Sequence, residues 1–536
     1  MSHTETVRKT FSRNVLIDIA ARIGYLLTRF LVPPFVLKYV TLDSYGLWAT
    51  TFILVSYLGI SSLGISNVYI KFTAEYIARG ATERANRLIS TGLMISIPVC
   101  LLLFSAVYFC LPEILTILKV SDTLKSEAEV VLLMVVAIFL LSLSLSAFRD
   151  LLVGAQQLAS VQLIWTFSYL IETLLILVLV GSGHGVRGLA EAFLIRTLIE
   201  IVLSIGVAFR KLDWLQISPR LFSSEALQTL LSFGSTVQIS GLLSIVLNSI
   251  ERAIAVPMVG LAGAAIIDIG KKLPAMAASI PSAFASSLIP ASSYLQGGLK
   301  GDQQREAQQQ LYLKSARYMN LTSAFVCGLL ATISTPLLYV WLGKNYTNAP
   351  LLMVIFAIST QLHLMTGPGT SLLKGQGKPL GEFHYIVPNI LFLLLFVPLL
   401  GISFGWSEVS VSIAVASATA CSAAYFINYV NDKLAVSQLD YIKTVVFPGI
   451  IPYFVGMLFS LPTTILVSHS SRFIGVAVII STGICYTAIL AAVILKLSDR
   501  TERVAIIEIA SRFLPSNSLS NLLLRFEKDC KKPAYR

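Results

Sequence analysis

The amino-acid sequence predicts an all-α polytopic membrane protein of about 14 transmembrane helices, two pseudo-symmetric six-helix lobes followed by two C-terminal helices. Three observations predict it. Of 536 residues, 55% are hydrophobic and only 13% charged, with a mean hydropathy of +0.78, whereas a soluble domain carries roughly a quarter charged residues. Apolar stretches of about 20 residues, enough to cross a bilayer, recur from Asn14 to Leu497 with short polar connections. The turn Leu151-Leu152-Val153-Gly154-Ala155-Gln156 is echoed 221 residues on by Leu372-Leu373-Lys374-Gly375-Gln376-Gly377. Internal repeats about an axis along the membrane normal mark alternating-access transporters.

The first span, 14–40, bends at Pro33-Pro34, because proline lacks the helical donor. The second, 46–70, leads into a basic loop running through Arg87, and the third covers 88–111. Spans at 127–148, 159–181 and 188–209 complete the first lobe, with the repeated turn between the first two of them. The 221-residue offset lays the first span over the seventh, 229–253, which joins 260–290, 317–341, 349–373, 382–404 and 408–430 in the second lobe. Spans at 443–468 and 472–497 are appended. The units are therefore 1–210, 211–434, 435–497 and a basic tail, 498–536, read either as short amphipathic helices on the inner leaflet or as a frayed end.

An even count puts both termini on one side. Lys and Arg favour the connections on the N-terminus's side of the membrane by a little under about three to one, so both termini are expected in the cytoplasm. The polar start, Met1 to Arg13, meets a full-length span with no small-residue cleavage site, so no cleavable signal is expected.

The net charge of +12 is spread over loop ends, which argues for membrane topology and against nucleic acid. Six cysteines without CxxC spacing and five scattered histidines indicate no disulfide framework, metal site or cofactor. Gly375-Gln376-Gly377-Lys378 lacks the first glycine and the Ser/Thr of a phosphate loop. No catalytic cluster stands out in the longest outward connection, Pro112 to Ala128, and the chain is read as a non-enzyme.

Charges within spans are costly and point to function. Asp18, Arg22 and Arg29 share one face of the first span, and Arg29 has no carboxylate one turn away. Arg196 and Glu200 form a one-turn pair in the sixth span, Glu172 stands alone in the fifth, and Arg252 ends the seventh. Asp268 lies within one turn of Lys271 and Lys272. Arg22, Arg29, Arg196, Arg252, Lys271 and Lys272 are thus candidate ligands of an anion, since guanidinium forks match phosphate oxygens and lysines add point charges. Ion pairs that merely tie helices together, or lysines snorkelling to headgroups, are the structural alternatives. Asp18 and Glu172 are candidates for ion coupling, because a buried carboxylate can change protonation as access alternates.

Several local patterns resemble the Wzx-type oligosaccharide flippases of the MATE-like exporter superfamily. They are Arg13-Asn14, Pro33-Pro34, Tyr45-Gly46-Leu47-Trp48, Leu63-Gly64-Ile65, the basic loop through Arg87, and Ala264 to Lys272 followed by Ile280-Pro281 and Ile289-Pro290-Ala291-Ser292. Glu251-Arg252 departs from the lone acidic residue common in relatives. The resemblance implies export of an undecaprenyl-pyrophosphate-linked oligosaccharide for O-antigen, capsule or exopolysaccharide, through a cationic cavity, by alternating access coupled to H+ or Na+. It also implies a polysaccharide polymerase and a chain-length regulator as partners. A MATE-like drug or cation antiporter and a membrane glycan polymerase or ligase are the competing expectations.

Overall fold

The computed structural model describes residues 28–59, 65–279, 301–343, 345–468 and 471–497, with 281–282, 285, 288–289, 292 and 295. Among them every regular element is helical. Ten helices are long and apolar enough to cross a membrane, or up to eleven if one bent pair is counted as a single span. The chain is a multi-pass membrane protein.

Helix α1 (28–36) is followed by α2 (Leu42–Leu58), whose first turn is capped by Thr41 accepting from the Ser44 amide. Then come α3 (Ile65–Ala78), α4 (Thr82–Phe109), the short α5 (Leu111–Ile117), α6 (Lys125–Gly154), α7 (Leu158–Gly181) and α8 (Gly185–Lys211). Helix α9 (Ser224–Ala277) is interrupted at Gly260, where φ of 72° suits a residue without Cβ. Helices α10 (Gly301–Thr332) and α11 (Ser334–Leu342) meet at a 64° bend. Helices α12 (Ala349–Leu364), α13 (Gly367–Gly375), α14 (Phe383–Phe404) and α15 (Glu408–Leu434) follow. Helix α16 (Phe447–Ser468) is preceded by a π-helical stretch, Ile442–Val446, and α17 (Arg472–Leu497) closes the described chain.

The expected span 46–70 therefore falls on two helices, α2 and α3, and 317–341 on the bent pair α10 and α11. The basic tail 498–536 lies outside the described residues.

The repeated turn has one backbone geometry in both places. Amides 155, 156 and 157 donate to carbonyls 151, 153 and 152, and amides 376, 377 and 378 donate to carbonyls 372, 374 and 373. Gln156 and Gly377 have φ of 62° and 75°. The same offset relates Gly80, with φ of 67° just before α4, to Gly301, with φ of 61° at the first residue of α10.

Packing divides by end. Near the turns at 37–41, 118–124, 182–184 and 345–348, helices of both halves share one core that includes Val36, Leu47, Val131 and Val186 with Leu261, Trp341 and Met353. At the opposite end Leu88 and Leu151 of the first half pack with Leu212, Ala226 and Leu230, which lead into and begin α9, and a separate core forms around Leu372, Phe426 and Tyr441. The two halves share one core at one end and have two separate cores at the other, the start of α9 packing with the first half. Outward faces carry large apolar side chains such as Leu102, Phe109, Val178 and Ile402, as hydrocarbon surroundings require.

Candidate functional site

A cluster of charged and aromatic side chains gathers where α1, α7 and α8 meet. Arg29, one turn before Pro33-Pro34 on α1, brings a guanidinium nitrogen 3.6 Å from the Glu172 carboxylate on α7. Arg196 of α8 approaches the same carboxylate oxygen at 3.8 Å, and its Nη1 donates to Glu200 at 2.9 Å. Glu172 is 3% exposed, while Arg29 keeps 32% of its side chain accessible. Both guanidinium groups lie over the ring of Tyr169, at 5.3 and 4.6 Å from its centroid, and Arg196 also rests on Phe193 at 5.0 Å. A guanidinium held on aromatic faces keeps its fork oriented while it stays charged.

A third cation comes from the other half. Lys272 on α9 donates to the Tyr45 hydroxyl of α2 at 2.9 Å and lies 3.7 Å from Asp268. It is also within electrostatic reach of Arg29. Contact across the halves continues at Gly46, where a Cβ would fall 2.1 Å from the Leu261 carbonyl oxygen. Among the described residues, three cations (Arg29, Arg196, Lys272) face three carboxylates (Glu172, Glu200, Asp268).

The joined end of the bundle has its own lock. Pro34 cannot supply the amide that would normally bond the Phe30 carbonyl. The Trp341 indole on α11 donates to that carbonyl at 2.6 Å and stacks on the Phe30 ring at 5.2 Å.

No protein-family model matches the chain. Its structure is similar to the lipid II flippase MurJ in an inward closed conformation, with a TM-score of 0.66 and 10% identity over 90% of this chain and 98% of that one. It is also similar to an inward-facing multidrug resistance MATE family transporter of the MOP superfamily, with a TM-score of 0.61 and 15% identity over 80% of this chain and 99% of that one. The fold is of the kind those two structures share. In sequence the chain is similar to the uncharacterized membrane protein EpsK of Bacillus subtilis (strain 168), 25% identical over 340 residues, which are 62% of this chain and 66% of EpsK. The chain thus spans about two thirds of the length of that curated relative.

Within this fold the expected site residues separate clearly. Arg29 and Arg196 meet at Glu172, Lys272 lies within electrostatic reach of Arg29 in a group with Tyr45 and Asp268, and the expected Arg196–Glu200 pair is present. Glu172 is not the solitary carboxylate that its own helix suggests: α1 and α8 flank α7 and each contributes an arginine, a proximity that spacing along one helix cannot reveal. For the same reason Arg29 has a carboxylate at 3.6 Å although none lies one turn away in α1. Lys271 is half-buried and projects about 100° round the helix from Lys272. Asp18 and Arg22, and the side chain of Arg252, lie outside the described residues.

Sequence reasoning passed over Tyr169 and Phe193. Their positions three residues before Glu172 and three before Arg196 were the available signal, since a helix places such neighbours on one face. Among the described residues no group of three or more His, Cys, Asp or Glu side chains could hold a metal.

Proposed function

We propose that this chain is a flippase that moves an undecaprenyl-pyrophosphate-linked oligosaccharide from the inner to the outer leaflet of a bacterial plasma membrane. The observation that carries this reading is the gathering of Arg29, Arg196 and Lys272 from both halves beside aromatic side chains. Guanidinium forks and an ammonium suit the pyrophosphate, and a sugar headgroup needs such a polar path because unsatisfied polar groups in hydrocarbon cost several kcal/mol each. The prenyl tail remains in the bilayer. The shared fold with MurJ and a MATE transporter supports transport by alternating access.

The proposed architecture has 14 spans, with lobes 1–210 and 211–434, appended helices to 497, and both termini cytoplasmic. Its identical turns at an offset of 221 residues support the two lobes. Arg22, Arg252 and Lys271 complete the anion pocket in this reading, and Asp18 and Glu172 carry coupling to H+ or Na+. A polysaccharide polymerase and a chain-length regulator are the expected neighbours in O-antigen, capsule or exopolysaccharide synthesis.

The test is protein-dependent translocation of a labelled undecaprenyl-pyrophosphate oligosaccharide in proteoliposomes. Transfer that falls at least tenfold in Arg29→Ala supports the reading; tenfold corresponds to about 1.4 kcal/mol of lost interaction. The three carboxylates and Tyr169 favour a second reading, a MATE-like cation antiporter, because the same groups would hold an organic cation. Gradient-driven efflux of organic cations with no lipid transfer would establish it, and glycosidic bond formation by the purified protein would indicate a polymerase or ligase.

A further inference from the structure

Glu172 occupies the place of an anion. Its carboxylate is almost fully buried between two guanidinium groups, yet its distances of 3.6 and 3.8 Å exceed the ~2.8 Å of a tight charge-assisted hydrogen bond. Arg196 Nε is buried without a hydrogen-bond partner. The other carboxylate on Arg196, Glu200, is bonded at 2.9 Å. Of the two, Glu172 is therefore the one held loosely enough to yield.

We infer that Glu172 is a built-in counter-anion that an incoming pyrophosphate displaces, and that it takes up a proton as it yields. The lipid anion and the proton are then loaded together and travel in the same direction, so the transport is symport and not exchange of lipid for proton. The inference rests on the pyrophosphate reading above.

A pyrophosphate oxygen bridging Arg29 and Arg196 would stand beside Glu172. Two anions in one site repel, and one relieves the repulsion by accepting a proton. Protonated at one carboxyl oxygen, Glu172 changes from acceptor to donor and can hydrogen-bond the phosphate that replaced it. The proton comes from water on the loading side and leaves when the anion leaves. Linkage makes the effect reciprocal: if the anion favours the proton, the proton favours the anion by the same factor.

The neighbours leave this role to Glu172. Arg29 faces it from α1, Arg196 and Glu200 from α8, and Tyr169 lies on its own helix. Tyr45 of α2, with Asp268 and Lys272 of α9, forms a separate hydrogen-bonded and ion-paired group near Arg29. Helix α6, also packed on α7, has its titratable groups Lys125, Glu127, Glu129, Arg149 and Asp150 near its two ends.

The experiment is calorimetric binding of a short-chain prenyl pyrophosphoryl sugar to the full-length protein in detergent, in buffers of different ionisation heat. The probe is a pyrophosphate diester whose charge is constant from about pH 6 to about pH 9. Wild type is expected to take up close to one proton per probe and to lose about tenfold in affinity per pH unit where that uptake is complete. Glu172→Gln is expected to abolish the proton uptake and flatten the pH dependence while binding at least as tightly as wild type. Binding by wild type without proton uptake overturns the inference and leaves the pyrophosphate reading standing, as does Glu172→Gln retaining the full uptake. Absence of probe binding by wild type at any pH overturns the pyrophosphate reading itself.

Discussion

Arg196 is the most tightly constrained cation of the cluster: two aromatic faces, one close carboxylate and one distant one surround a side chain that is 10% exposed. Removing one member of a buried ion network strands its partners, typically at about 3 to 5 kcal/mol. Arg196→Ala is therefore expected to lower thermal stability in detergent by an amount at the lower end of that range, because Glu200 retains some access to water, and to abolish lipid transfer. Arg196→Lys should keep most of the stability and lose the transfer, since an ammonium provides neither the planar stack nor the fork. Denaturation monitored beside translocation separates these outcomes. At the Lys272 end, Tyr45→Phe removes one hydrogen bond to a charged group, worth about 1.5 to 3 kcal/mol, and should weaken anion binding without unfolding the protein. Much at this scale was legible in sequence, because charges in apolar runs announce themselves and the Arg196–Glu200 pair follows from helical spacing alone. The position of Glu172 between Arg29 and Arg196 was not, since it depends on which helices become neighbours.

At the scale of elements, the joined end depends on a proline defect that the opposite half repairs. Trp341 supplies the donor that Pro34 cannot, so Trp341→Phe keeps the stack on Phe30 and orphans its carbonyl. An unsatisfied buried carbonyl costs about 1 to 3 kcal/mol, enough to move the balance between joined and separated ends by roughly fivefold to a hundredfold. Spin labels at the exposed positions Lys38 and Asn345 should report a longer or broader distance distribution in this variant than in wild type. Gly46→Val is expected to act in the same direction more strongly, because its Cβ would meet the Leu261 backbone carbonyl. Hydropathy located α17 at 472–497 and α14 within one residue of 382–404, where apolar runs stop abruptly at polar or glycine residues. It started the ninth span at 317 although α10 begins at Gly301. The intervening stretch, rich in Gln, Glu, Ala, Lys and Arg, is strongly helical and simply too polar for a hydropathy reading to include.

For the whole molecule, one shared core at one end and two separate cores at the other suit a machine whose halves pivot about their joined end. Trp341, Gly46 and Lys272 all make contacts between the halves, so opening the joined end must part the lock and rearrange the cation cluster together. If lipid and proton load together, the sign of coupling follows. A pyrophosphate diester with two negative charges, carried with one proton, moves one net negative charge outward in the proposed orientation. An inside-negative potential favours that movement by about 2.3 kcal/mol per 100 mV. Acidity on the release side opposes it by about 1.4 kcal/mol per pH unit, because the proton must be delivered against its own gradient. Proteoliposomes with a potassium diffusion potential and no pH gradient should therefore speed outward transfer, and those with an acidic release side and no potential should slow it. Glu172→Gln should remove the response to pH and retain the response to potential. Faster transfer into an acidic release side would mean that lipid and proton exchange, and that Glu172 serves the pocket as a fixed structural charge.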